Sequence, residues 1–322
     1  MTYKLSDAQF IMMSTAAQRN DRCLMPSETL KGAALSKLAS KCAFAAIAFS
    51  CALMAPGTAS AVVINDLFVF GDSYSDTGAY VKQTTNGNTA VAYLAKDFGI
   101  TLTISKNPAP GTDGVNFAEA GARVFAGPKP PATHPGSLTR QVAEFRNYVI
   151  SHKVTFNPRT SLFFLLGGLN DHKFVTSAEI NAATIAQVTT LYELGARLFE
   201  IALLPSKVPV FTDSADNLNP GYRALIPKLR VEFADAVFGL SNWGPDYDKI
   251  IGHRSQYGLT NATDPCRDFK PSTPTCSVPD KYFYYYNDHP SDVAHHIVGN
   301  ELSTEVLTLP SVPRSPNLRL GQ

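Results

Sequence analysis

Ser73 stands between two aspartates in the stretch Leu67-Phe-Val-Phe-Gly-Asp-Ser-Tyr-Ser-Asp-Thr-Gly78. A serine becomes a nucleophile for acyl transfer only where a base can take its proton and hydrogen-bond donors await the oxyanion of the tetrahedral intermediate. Residues 67–70 form a short apolar, aromatic and β-branched run of the kind that makes a buried strand. Gly71 lets the chain turn sharply at its end. Ser73 is therefore expected at a strand-to-helix turn on the carboxyl edge of a parallel sheet, where ligands bind and helix N–H groups favour negative charge. The same residues fit a capping box, with Ser73 at the N-cap and Asp76 at N3. Both readings are open at this point.

The elements that must position this serine alternate along the chain. Thr89 to Phe98 has apolar positions at helical spacing and stops at Gly99. Residues 111–126 are glycine-rich without helical period, and 127–136 are a proline-rich loop. Ser137 caps a helix to about Val149. Ser161-Leu-Phe-Phe-Leu-Leu-Gly167 is a second buried strand, Ala178 to Arg197 an amphipathic helix, and Leu198 to Pro205 a third strand. A helix from about Gly221 to Leu240, an edge strand at Tyr247-Asp-Lys-Ile-Ile251 and a helix from Ser291 to Leu307 complete the reading. Strand, helix, strand at this spacing predicts parallel pairing with right-handed crossovers in a three-layer α/β/α sandwich.

The chain has 322 residues, 44% of them hydrophobic, which suits a globular core. With 28 Lys and Arg against 27 Asp and Glu, no basic surplus calls for nucleic acid or an anionic membrane. Residues 1–61 differ in kind: Lys31, Lys37 and Lys41 precede an apolar run, Cys42 to Met54, that ends in Ala59-Ser-Ala61. This is the layout of a secretory signal peptide, cut near Ala61, with translation starting at Met1 or Met25. The run is shorter than the ~20 residues needed to span a bilayer. Residues 62–322 then form one domain, expected to be monomeric and secreted or periplasmic. Of the five cysteines this part keeps only Cys266 and Cys276, which read as one disulfide in an oxidising compartment. Asn261-Ala-Thr263 is a glycosylation acceptor only in a eukaryotic host.

Phe70-Gly-Asp-Ser-Tyr-Ser-Asp-Thr-Gly78 resembles the first block of the GDSL esterases and lipases, the SGNH hydrolases, with Tyr74 in place of the usual leucine. Asn116-Phe-Ala-Glu-Ala-Gly121 resembles the second block, which implies that Gly121 offers its N–H to the oxyanion beside that of Ser73. Gly167-Gly-Leu-Asn170-Asp171 resembles the third, which implies the Asn170 amide as another donor. His289-Pro-Ser291 resembles the last block and makes His289 the base, a role histidine suits near neutral pH. Leu191 to Pro205 and Cys276 to Tyr282 extend the likeness, which runs from about residue 66 to 304. Asp72, Asp76 and Asp171 read as supports of their turns, and the remaining histidines, with His295 and His296, as surface or helix residues. His289 and His295 share a motif that no carboxylate or cysteine completes into a metal site.

One place departs from the family pattern. Where an aspartate usually stands three residues before the histidine, this sequence has Tyr286. Asp288 and Asn287 are the nearby side chains that could orient the imidazole, and a backbone carbonyl is the alternative, leaving a Ser-His dyad. The resemblance implies a secreted serine ester hydrolase without cofactor or metal, acting on short acyl, lipid or acetylated carbohydrate esters. The alternative that Tyr286 raises is an exported binding protein that kept the fold and lost the chemistry.

Overall fold

The computed structural model describes residues 62–78, 84–106, 108, 113–125, 136–171, 175–267 and 275–313. The leader at 1–61 and nearly all of the loop at 127–136 lie outside them. The elements in chain order are β1 (Asp66–Phe70), α1 (Ala90–Asp97), β2 (Leu102–Ile104), β3 (Gly114–Asn116), α2 (Leu138–Ile150), β4 (Ser161–Leu165), α3 (Ser177–Glu193), β5 (Leu198–Ala202), α4 (Thr212–Glu232), β6 (Val237–Ser241), α5 (Trp243–Gly252), β7 (Asn261–Arg267), β8 (Tyr282–Tyr286), β9 (His289–Pro290) and α6 (Asp292–Leu307).

Six parallel strands form the central sheet in the order β2-β3-β1-β4-β5-β6, with helices against it. β4 and β5 are buried at every position, which is why they read as continuous apolar runs rather than alternating ones. Phe68, Phe163 and Phe199 follow one another across paired strands, with Phe68 and Phe163 centroids 5.1 Å apart and Phe163 and Phe199 5.7 Å apart. From β1 the chain goes first to β2 and β3 on one side and then to β4, β5 and β6 on the other. β1 thus sits at the topological switch point, with its carboxyl end opening the crevice where ligands bind in such sheets.

Three expectations need correction. The short strands β2 and β3 are absent from the sequence reading: β3 lies in the glycine-rich stretch 111–126 and β2 just before it. Residues 237–241, expected to end a helix, are strand β6, and the helix before them starts nine residues early, at Thr212, and runs through Pro220 and Pro227. Residues 247–251, expected as an edge strand, lie in helix α5, because Trp243, Tyr247 and Ile250 recur at helical spacing and are all buried. A second sheet, β7-β8-β9, pairs β7 parallel to β8 and β8 antiparallel to β9. The Cys266–Cys276 disulfide closes the end of β7. Among the described residues no helix is long and apolar enough to cross a membrane.

Glu200 is the odd residue of the sheet. It sits mid-strand in β5, almost fully buried, and neither carboxyl oxygen has a hydrogen-bond partner among the described residues. Its register partner is Gly239, and a Cβ there would lie 2.2 Å from the Glu200 carboxyl. Glycine is what makes room for it. Burial first, then repulsion from Glu305, pushes this carboxyl well above its ordinary range, against the pull of Arg230. The unfolded chain ionises at the ordinary value while the folded chain resists. Stability is therefore full at low pH and falls as pH rises from the ordinary glutamate range toward the folded value. Glu200→Gln removes this titration. The melting temperature of the variant minus that of the parent is expected to grow, by about 2–4 °C, as pH rises above the ordinary glutamate range of about 4, as read by scanning calorimetry.

Candidate active site

β1 delivers Ser73 to the switch point through a turn that its neighbour closes. The Asp72 carbonyl accepts the N–H groups of Ser75 at 3.0 Å and Asp76 at 2.9 Å, and the Asp72 carboxylate accepts Tyr74 N–H at 3.1 Å. Residues 72–76 make a single turn, and the first helix after it among the described residues begins at Ala90. The capping box does not form. Asp76 instead accepts Gly78 N–H at 2.8 Å and Ala120 N–H at 2.9 Å, which ties the serine turn to the Gly121 segment. Ser73 Oγ is left to meet His289 Nε2 at 2.8 Å.

His289 opens β9 after a two-residue turn from β8. Asn287 takes the left-handed conformation there, φ 47°, which asparagine tolerates better than most residues. The Tyr286 carbonyl lies 3.2 Å from His289 Nδ1. A carbonyl can only accept, so Nδ1 carries the hydrogen and Nε2 presents its lone pair to the Ser73 hydroxyl. Asp288 and Asn287, the side chains suggested by the sequence, do not stand at Nδ1. A tight turn carries the carbonyl of its first residue toward the fourth, and the imidazole is on the fourth. The Asp288 carbonyl instead accepts the Tyr74 hydroxyl, and Asn287 donates its N–H to the Arg267 carbonyl at 3.2 Å. Desolvation lowers the His289 pKa to about 4, partly offset by the Tyr286 carbonyl, so the imidazole is neutral at pH 7.

The oxyanion candidates come from the two strands that flank β1. Gly121 follows β3 in the left-handed region, φ 81°, which glycine adopts without strain. Asn170 follows β4, and its side-chain amide donates one hydrogen to the Ala122 carbonyl at 2.9 Å, leaving the other. The N–H groups of Ser73 and Gly121 form no hydrogen bond with the described residues. The three segments thus leave adjacent strands β3, β1 and β4 at one edge. Such donors, fixed before substrate arrives, can stabilise a developing oxyanion without reorganising.

Several bracing groups escaped the sequence reading. Gln141, buried on α2, accepts Gly71 N–H at 2.9 Å and donates to Gly71 C=O at 2.8 Å, holding both faces of the glycine that starts the turn. Asn116 donates to the Ser75 carbonyl at 2.7 Å and accepts Ala118 N–H at 3.0 Å. A glutamine among the buried Leu138, Val142 and Phe145 of an amphipathic helix is the signal that could have found the first. Asp171 accepts Val124 N–H at 2.9 Å, in keeping with a supporting role. Burial raises Asp171 to about 6 and Asp72 to about 7. His295, read as a surface or helix residue, is a helix one. It is fully buried in α6, with Nδ1 2.6 Å from the Tyr247 hydroxyl and accepting Ala90 N–H at 3.2 Å, while exposed His296 stacks on Tyr93. Among the described residues no group of three or more His, Cys, Asp or Glu is placed to hold a metal ion.

Residues 67–302 match the family model described as GDSL-like Lipase/Acylhydrolase. Acetylajmalan esterase 2 of Rauvolfia serpentina is 23% identical over 349 residues, spanning 81% of this chain and 96% of that one. Among solved structures, the protein YXIM from Bacillus subtilis overlays with a TM-score of 0.42 at 15% identity, over 76% of this chain and 56% of its own. The lipase/acylhydrolase from Enterococcus faecalis overlays with a TM-score of 0.38 at 12% identity, over 78% of this chain and all of its own (100%). Matched over most of its length by the family model, the chain belongs to the GDSL-like lipase/acylhydrolase family and is a carboxylic ester hydrolase.

Proposed function

We propose that this protein is an exported serine esterase in which Ser73 is the nucleophile and His289 the general base, oriented by the Tyr286 carbonyl. The observation that carries the reading is the 2.8 Å contact between Ser73 Oγ and a His289 Nε2 whose lone pair is fixed by the hydrogen on Nδ1. Ser73 attacks the ester carbonyl carbon as Nε2 takes the hydroxyl proton. The carbonyl oxygen becomes an oxyanion held by the N–H groups of Ser73 and Gly121 and by the Asn170 amide. The imidazolium then gives its proton to the departing alkoxide, which leaves as the alcohol. Water, losing a proton to Nε2, attacks the acyl-serine, and collapse returns that proton to Ser73 as the acid leaves.

A carbonyl at Nδ1 fixes the tautomer as a carboxylate would, but as a neutral group it lends the imidazolium less charge stabilisation. This supports an esterase over a binding protein, because the geometry a base requires is kept where the carboxylate is absent. The Rauvolfia relative is named for an acetyl ester, which favours short acyl groups for this chain. The layout of residues 31–61 supports export with cleavage near Ala61.

Residues 62–322 are expected to hydrolyse p-nitrophenyl acetate faster than long-chain esters, and Ser73→Ala to lose at least about 10³-fold in kcat. Equal turnover by the two proteins would remove the serine from the mechanism. A base must be unprotonated to act, so kcat/KM should hold through neutral pH and fall on its acid side at about pH 4. Tyr286→Asp sets a carboxylate near the imidazole, which favours the charged form. The acid limb of the variant should then move to higher pH and its kcat rise; a limb that stays in place would show that the side chain of residue 286 does not reach the imidazole.

A further inference from the structure

Tyr74, the residue that departs from the usual leucine of the first block, is wholly buried beside the proposed base. Its backbone N–H is held by the Asp72 carboxylate, and its hydroxyl donates to the carbonyl of Asp288, the residue immediately before His289. Its ring lies 5.5 Å from the imidazole of His289, tilted by 41°. Phe211, Trp243 and Tyr247 surround it edge-on, with centroids 5.6, 5.4 and 5.7 Å away, so the ring has one place to be. Two neighbouring residues of the serine turn therefore grip two neighbouring residues of the base segment. Ser73 meets His289, and Tyr74 meets Asp288.

The second grip matters because, among the described residues, the other bonds of the base segment run to β7 and β8 rather than to the serine turn. β9 is only two residues long, and the turn before it holds a non-glycine residue in the left-handed region. The β8–β9 pairing and the Ser291 bonds hold the hairpin to itself, so the Ser73–His289 contact alone would still let its tip turn about that one point relative to the serine turn. A second contact one residue away removes that freedom.

Resting on the esterase reading, we propose that Tyr74 is a positioning residue for the base: its hydroxyl on the Asp288 carbonyl and its ring against the imidazole set His289 Nε2 on Ser73 Oγ. The hydroxyl is available for this at all working pH, since burial keeps it protonated. A leucine here could fill space but could not donate. Asp72, Asp288, Tyr247, Tyr284 and His295 are the titratable groups packed around Tyr74 and His289. None is removed by changing Tyr74.

Tyr74→Phe deletes the hydroxyl and keeps the ring. With p-nitrophenyl acetate, kcat is expected to fall by about ten- to a hundredfold with KM unchanged, the scale of a base misplaced by a fraction of an ångström to an ångström. The acid limb of kcat/KM should also move up from about 4 toward the ordinary histidine range as the loosened hairpin admits water. A residue that merely stabilised the fold would lower the melting temperature without moving the limb or splitting kcat from KM. Should Tyr74→Phe fail to fold, Tyr74→Leu is read in its place, with a larger kcat loss expected because the ring contact goes too. A folded variant with parental kcat and an unmoved acid limb overturns the positioning role. Ser73→Ala run in parallel separates the two ideas: if its turnover survives, the esterase site itself is wrong, and if it vanishes while Tyr74→Phe keeps full kcat, only the positioning role is.

Discussion

One hydrogen bond, from Ser73 Oγ to His289 Nε2, joins residues 216 positions apart, and the order of the elements makes sense only around it. Closing so long a loop costs chain entropy that a single hydrogen bond cannot offset. The sheet and the helices have to make that closure on other grounds. β1 is placed between β3 and β4 at the centre of a buried parallel sheet, so its carboxyl end cannot shift without breaking two strand pairings. At the other end, Ser291 just after the histidine donates its N–H to the Phe283 carbonyl at 2.7 Å and its hydroxyl to the Tyr282 carbonyl at 2.7 Å. Helix α6 then packs on α1, with Ser303 of α6 bonded to Asp97 of α1 at 2.6 Å. Both partners of the bond are thus fixed by structure that would exist without it.

Burial sets the chemistry that this closure allows. The same desolvation that raises Asp72 to about 7 and Asp171 to about 6 lowers His289 to about 4, because each group resists its charged form in the dry edge of the sheet. A third carboxylate at Nδ1 would need its own partners in that setting, and a buried carboxylate left short of them is costly. A carbonyl already belongs to the backbone and remains neutral. It specifies the tautomer and adds no charge to a region that already holds two raised carboxyls.

Much of the fold was legible because buried parallel strands show themselves as unbroken apolar runs, as Leu67 to Phe70, Ser161 to Leu165 and Leu198 to Ala202 do. β2 and β3 are three residues long, too short for any period to appear. β6 was lost because the buried Leu225, Ile226 and Leu229 of α4 lead into Phe233 and Val237 without a break in apolar spacing, and the prolines at 220 and 227 hid where that helix begins. Tyr247 to Ile251 looked like a strand because a window of five residues cannot separate the two periods. Adding Trp243 decides it. In the candidate site, Ser73, Gly121, Asn170 and His289 could be named because their local patterns carry residue identity. A backbone carbonyl at Nδ1 was among the alternatives, but which one could not be read, since every residue has one and only the turn at Asn287 selects that of Tyr286.

In the mechanism proposed above, the lowered pKa of His289 bears on which half of the reaction the site favours. An imidazole that is hard to protonate is a weak base toward the serine hydroxyl but, once charged, a strong acid toward the leaving alkoxide. The first proton transfer is helped chiefly by the oxyanion that forms with it, because opposite charges in a dry site stabilise each other strongly. In that mechanism imidazolium and oxyanion are each other's counterion, and the proposed donors at Ser73, Gly121 and Asn170 would carry a larger share of the transition-state stabilisation than they would beside a buried aspartate. The rigid support of those donors by Asp76, Asn116 and Ala122, and of the base by its neighbouring turn, follows from the same distribution of charge: with no carboxylate to compensate a misplaced imidazole, position has to do that work.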